Sequence, residues 1–129
     1  MTCSTLPLKD HIMPVRANAF LPTEATTETL IASGVLSAAA QMIIVGAQSG
    51  TTDDLDTVNV AAGLSYSGYV QILYLTATIG DTITVKHNTG NILCNSAADM
   101  TLTENKGVML VRFINTTNAV ANSKWRAFE

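Results

Sequence analysis

Asp81-Thr82-Ile83-Thr84-Val85-Lys86-His87-Asn88-Thr89-Gly90-Asn91-Ile92-Leu93-Cys94 is the stretch that decides the fold class. Between Asp81 and Lys86 apolar and polar residues alternate. Ile83 and Val85 point one way, and Thr82, Thr84 and Lys86 the other. A period of two built on β-branched residues describes a half-buried strand. Asn88-Thr89-Gly90-Asn91 supplies turn residues, and Ile92-Leu93-Cys94 reads as a further short strand.

The same rhythm continues in both directions. Upstream, Tyr69 to Thr78 is rich in aromatic and β-branched residues and includes Ile72. Gln41-Met42-Ile43-Ile44-Val45 is an apolar run ended by Gly46. Leu36 to Met42 has good helix propensity. It runs without a stop into Ile43-Ile44-Val45, so it reads as strand. Downstream, Met100 and Leu102 alternate with Thr101 and Thr103. Glu104-Asn105-Lys106-Gly107 reads as a hairpin turn in which Asn and Gly accept positive φ. Val108 to Ile114, with Leu110 inside it, is the most hydrophobic strand and is expected to be central. In the closing segment Ala119 to Phe128, Trp125 shares a face with Ala121, Ser123 and Ala127.

Strands this short, spaced by turn residues, predict an all-β protein: an antiparallel β-sandwich or jelly-roll-like domain over residues 31–129. No internal repeat of fixed period is evident. Residues 1–30 read differently. Pro7, Pro14 and Pro22 forbid a long regular helix and favour extended geometry. Leu6, Leu8, Ile12, Phe20 and Leu21 give this segment apolar groups that want a surface to lie on. It is an extended arm, and those five residues are its candidate partner contacts. Thr23 to Thr29 is a polar hinge in which Thr23 can cap a short helical turn. Leu110 and Trp125, with Ile72, are the candidate core or subunit-packing residues.

Composition narrows the function. The 129 residues are 47% hydrophobic but only 13% charged, with a net charge of −3. Disorder needs the opposite balance. Seven basic residues, scattered, exclude a nucleic-acid footprint. So few solubilising charges, with a mean hydropathy of +0.28, point to surface buried against other chains. No stretch is long and apolar enough to span a bilayer. The start, Met1-Thr2-Cys3-Ser4-Thr5-Leu6-Pro7, lacks a signal-peptide pattern. With only Cys3 and Cys94, and no disulfide framework, synthesis in a reducing cytosol is expected.

Catalytic signatures are scarce. His11 lies in the arm and His87 at a strand-to-turn junction. No nucleophile elbow, Cys–His signature or HExxH pattern occurs. Asp53-Asp54-Leu55-Asp56 offers carboxylates for calcium but lacks EF-hand spacing and reads as turn-shaping residues. Gly63 to Gly68 has no P-loop lysine. Tyr66, Tyr69, Tyr74 and Trp125 are better suited to packing than to a sugar pocket. No enzyme, cofactor, metal or small-molecule substrate is expected.

From residue 53 onward the order of segments resembles a β-structured module of tailed-bacteriophage virion proteins. The residues that carry the resemblance are Asp53-Asp54-Leu55-Asp56-Thr57-Val58 and Gly68-Tyr69-Val70-Gln71-Ile72-Leu73-Tyr74-Leu75. They continue with Val85-Lys86-His87-Asn88-Thr89-Gly90-Asn91-Ile92, Met100-Thr101-Leu102-Thr103 and Val108 to Phe113, and end on Lys124-Trp125-Arg126-Ala127-Phe128-Glu129. Asn115 to Asn122 is longer than the compact turn usual there. The resemblance implies a homotrimeric, non-enzymatic virion component. Its expected role is a capsid decoration (cement) protein that binds the major capsid protein on the outer surface of the assembled head. It would be made in the host bacterial cytoplasm. The alternative is a tail-fibre tip that displays Ser65-Tyr66-Ser67 or residues 115–122 to a host glycan. Neither nucleic acid nor membrane is an expected partner.

Overall fold

A computed structural model describes residues 27–60, 70–113 and 124–129. The described residues are all-β, in eleven strands. These are β1 (Thr29–Leu30), β2 (Val35–Ala38), β3 (Met42–Gly46), β4 (Thr52–Leu55), β5 (Thr57–Val60) and β6 (Val70–Ala77). They continue with β7 (Thr82–Val85), β8 (Ile92–Cys94), β9 (Met100–Leu102), β10 (Val108–Phe113) and β11 (Trp125–Phe128).

The strands form three sheets. One has six strands in the order β1-β3-β6-β10-β11-β8, one has three in the order β4-β7-β9, and one is the pair β2-β5. The chain visits the two-, six- and three-stranded sheets with β2, β3 and β4. It then visits them again in the same order with β5, β6 and β7. Each second-turn strand lies parallel on its first-turn counterpart, with Leu36 opposite Val58, Ile43 opposite Leu75 and Leu55 opposite Val85. The chain therefore winds twice around one interior. β9 and β10 then add to the same walls in the antiparallel sense, on β7 and β6.

This corrects the expectation of an antiparallel sandwich. Turn residues between short strands suggest hairpins, but most of these turns are corners between sheets. β10 and β11 are the one pair of successive strands among those described that share a ladder. The parallel β2–β5, β3–β6 and β4–β7 pairs use strands in the other walls as their crossovers, where α/β folds use helices. The repeat is hidden in the sequence because the two turns differ in length; residues 61–69 fall within the second. Leu36 to Val45 is likewise two strands, not one. The chain bends at Ala39-Ala40-Gln41 and moves to another sheet. Across 104–105, paired Thr103–Lys106 backbone bonds close a tight turn. Positive φ falls on Ser33, Asn88 and Ala97 and on glycines elsewhere, not on Asn105 or Gly107.

Burial follows the period of two in every wall. Leu36, Ile43, Val45, Leu55, Val58, Leu75, Ile83, Leu102 and Leu110 all turn inward. Each contributes about 1.5–3 kcal/mol of transfer free energy. Trp125 is the largest fully buried side chain, and its Nε1 donates to the Val58 carbonyl at 3.2 Å. That hydrogen bond removes the cost of burying an indole N–H.

Among the described residues, no third strand pairs with β5. The 88–91 turn takes that place. Asn91 bonds the backbone of Val58 through its side chain, and the Asn91 N–H donates to the Asp56 carbonyl at 3.1 Å. Gly90 allows the approach, since a Cβ there would collide with the Asp56 carbonyl and the Thr57 hydroxyl.

Candidate interaction face

Three walls enclose one core, so each wall has one outward face. In the two- and three-stranded sheets the outward positions are polar except Val35, as expected where one face meets water. They include Ser37, Asn59, Thr52, Asp54, Thr82 and Thr101. The six-stranded sheet breaks that rule. Its outward positions include, besides Leu30 on β1, Met42 and Ile44 on β3, Val70, Ile72 and Tyr74 on β6, and Met109 on β10. These seven are between 39% and 53% exposed.

Register brings them together. Met42 lies opposite Tyr74, Tyr74 opposite Met109, and Met109 opposite Phe128, a row crossing four adjacent strands. Beside it run Ile72, Val111 and Arg126, also in register. Gly107 has no Cβ where the Tyr74 ring end packs, so the tyrosine lies over the backbone at that point.

Charge lies on either side of this apolar row. Glu28, just before β1, lies over Gly46 and its carboxylate accepts a hydrogen bond from the Thr78 hydroxyl. Arg126 lies on β11, four strands across the sheet. It is exposed and has no hydrogen-bond or ion-pair partner among the described residues.

Behind the face, Arg112 and Gln71 point inward from β10 and β6. Arg112 Nε donates to Gln71 Oε1 at 2.8 Å. The guanidinium carbon sits 4.4 Å from the centroid of the Trp125 ring, a cation–π contact. Nη2 is buried and finds no hydrogen-bond partner among the described residues. Burial pushes this guanidinium below its usual pKa range.

The residues singled out from the sequence fall as follows. Leu110 and Trp125 are fully buried in the core. Ile72 is not a core residue, because strand alternation puts it on the outward face, 42% exposed. The arm contacts Leu6, Leu8, Ile12, Phe20 and Leu21 lie outside the described residues, as do Cys3, His11, Tyr66, Tyr69 and the loop 115–122.

Asp53 and Asp54 stand on strand β4 rather than in a loop, and alternation sends them to opposite sides. Asp53 accepts the N–H groups of Gln48 and Asp54, both at 2.9 Å. No cluster of three metal-ligating side chains occurs among the described residues. His87 Nδ1 accepts the Cys94 N–H at 3.1 Å, which gives the ring a structural task. Cys94 is a buried free thiol whose pKa is raised by burial.

Sequence reading missed Met42, Ile44, Val70 and Met109 as members of one surface. The available signal was the unbroken apolar run Met42-Ile43-Ile44-Val45. A strand that is apolar on both sides needs cover on both sides.

The chain matches no protein-family model, no curated protein and no solved structure.

Proposed function

We propose that the protein is a bacteriophage capsid decoration protein. It binds the outer surface of the assembled head as a homotrimer and clamps neighbouring copies of the major capsid protein. The observation that carries this reading is the contrast between the walls. Two are coated with Ser, Thr, Asn and Asp, and one presents Met42, Ile44, Ile72, Tyr74 and Met109 outward. A small, charge-poor body with one apolar wall is built to pack against other protein chains. The order of the Asp53–Glu129 segments, resembling phage virion modules, supplies the context.

The mechanism is thermodynamic linkage. A ligand that binds the closed shell but not its free subunits shifts the equilibrium toward the shell. Three attachment points on one trimer raise the effective concentration of each contact and turn weak contacts into lasting occupancy. Leu6, Leu8, Ile12, Phe20 and Leu21 are the side chains assigned to the capsid contact. Each contributes about 1.5–3 kcal/mol where it becomes well buried.

Immunogold electron microscopy of virions, with an antibody to this chain, tests the reading. Gold spread over the head is expected. Gold confined to the tail tip replaces the reading with a receptor-binding module that recognises a host glycan, and absence from the virion removes both.

A further inference from the structure

The apolar wall identifies a protein interface but not its occupant, and the charges that flank its apolar centre do. We propose that the outward face of the six-stranded sheet is where copies of this chain bind one another, Glu28 of one copy meeting Arg126 of the next. This rests on the homotrimeric reading above and names the surface that makes the trimer.

The face has an apolar centre, Met42, Ile44, Ile72, Tyr74 and Met109, with the acid Glu28 on one side and the base Arg126 on the other. An apolar core with a polar rim, and Met and Tyr in the centre, is the anatomy of a protein interface. A face made for a strongly acidic or basic partner would carry one excess sign. A face made for an anionic membrane would carry a basic rim. Among the described residues this one has an acid at one side, Glu28 beside β1, and bases towards the other, Arg126 on β11 next to the edge strand β8 and Lys124, which is held by Asn88 Oδ1 at 2.8 Å. Such a surface is complementary to itself. Each copy offers the base that the other's acid requires, and symmetric association repeats the contact in every subunit. Arg126 has no partner within its own chain among the described residues, so its guanidinium is available. The apolar centre supplies affinity, and the charged corners set orientation.

The test is sedimentation equilibrium on the full chain. The wild type is expected to sediment as an oligomer. Ile72→Glu and Tyr74→Glu are expected to weaken association about tenfold or more, because each buries an unpaired charge at the centre of the contact. Both side chains point away from the core, so circular dichroism and the melting transition should keep the wild-type form. Glu28→Lys and Arg126→Glu singly should weaken association, and the double reversal E28K/R126E should restore most of it.

An oligomer indifferent to Ile72→Glu and Tyr74→Glu overturns the proposal by placing the contact elsewhere. Loss in the single reversals without recovery in the double overturns the Glu28–Arg126 pairing. A monomeric wild type overturns the proposal too. If a chain lacking residues 1–22 then assembles, the face belongs to the arm. Gold labelling of heads is independent of all these outcomes, so failure here and failure of the decoration reading are separable.

Discussion

Asn91 grips the peptide groups of Val58 from both directions: its Oδ1 accepts the Val58 N–H at 2.8 Å, and its Nδ2 donates to the Val58 carbonyl at 2.9 Å. One side chain thus reproduces the pairing that a third strand would give β5. The same Val58 carbonyl accepts Trp125 Nε1, and the Trp125 N–H donates to the Asn91 carbonyl at 2.8 Å. The turn and the closing strand are locked together at this point.

Asn91→Ala leaves the part-buried Val58 N–H without a partner, while the Val58 carbonyl keeps only Trp125 Nε1. The expected cost is about 1–3 kcal/mol, read as a lower urea midpoint with unchanged slope. Asn91→Asp keeps the acceptor and loses the donor, so its loss should be smaller at neutral pH. Equal losses would show that the retained acceptor contributes nothing.

Lys86 Nζ lies 2.6 Å from Asp99 Oδ2 on the surface, and Asp99 Oδ1 accepts the His87 N–H at 2.7 Å. The hydrogen bond from Lys86, then that from His87, lowers the Asp99 pKa. The bond to Asp99 raises that of Lys86. A lowered carboxylate stabilises the fold above its unfolded pKa, and the contribution is lost as pH falls through the folded value. A raised lysine stabilises it below its unfolded pKa, and the contribution is lost as pH rises through the folded value. Melting curves of wild type and Asp99→Asn should therefore differ most between these two ranges, and converge in acid and in strong base. The Asn retains an acceptor for His87, so the comparison isolates charge. The gap should shrink in high salt; a gap that persists in acid would contradict the assignment.

The buried Arg112–Gln71 pair should show strong coupling. Gln71→Leu strands Arg112 Nε in the interior at a cost of about 1–3 kcal/mol, and Arg112→Met strands the Gln71 amide. The double variant Q71L/R112M replaces both with apolar groups and is expected to be more stable than Gln71→Leu alone. Additive losses in a double-mutant cycle would show that the two residues act independently.

Deleting residues 1–22 should leave the melting transition and the oligomer mass close to wild type while occupancy of heads is lost. Quantitative gel analysis of purified particles incubated with the truncated chain gives the answer. Normal occupancy would remove the arm from the capsid contact.

Strand content was legible because the period of two is local. Ile83 and Val85, Met100 and Leu102, and Val108 and Leu110 declare their inward faces from adjacent residues alone. The buried positions of Leu110 and Trp125 and the turn at Asn88–Asn91 follow from the same short-range rules. What the sequence could not specify was which strands pair. Hydrogen-bond partners such as Leu36 and Val58, or Ile43 and Leu75, are far apart in the chain, and the pattern of a parallel ladder looks like that of a hairpin until the corners are placed. The exposed row Met42–Tyr74–Met109 is of the same kind, because it exists only once β3, β6 and β10 lie side by side. Alternation, which depends on the stereochemistry of a single strand, belonged to the sequence. Adjacency, which depends on how the whole chain closes around Trp125 and its core, was decided by the tertiary structure.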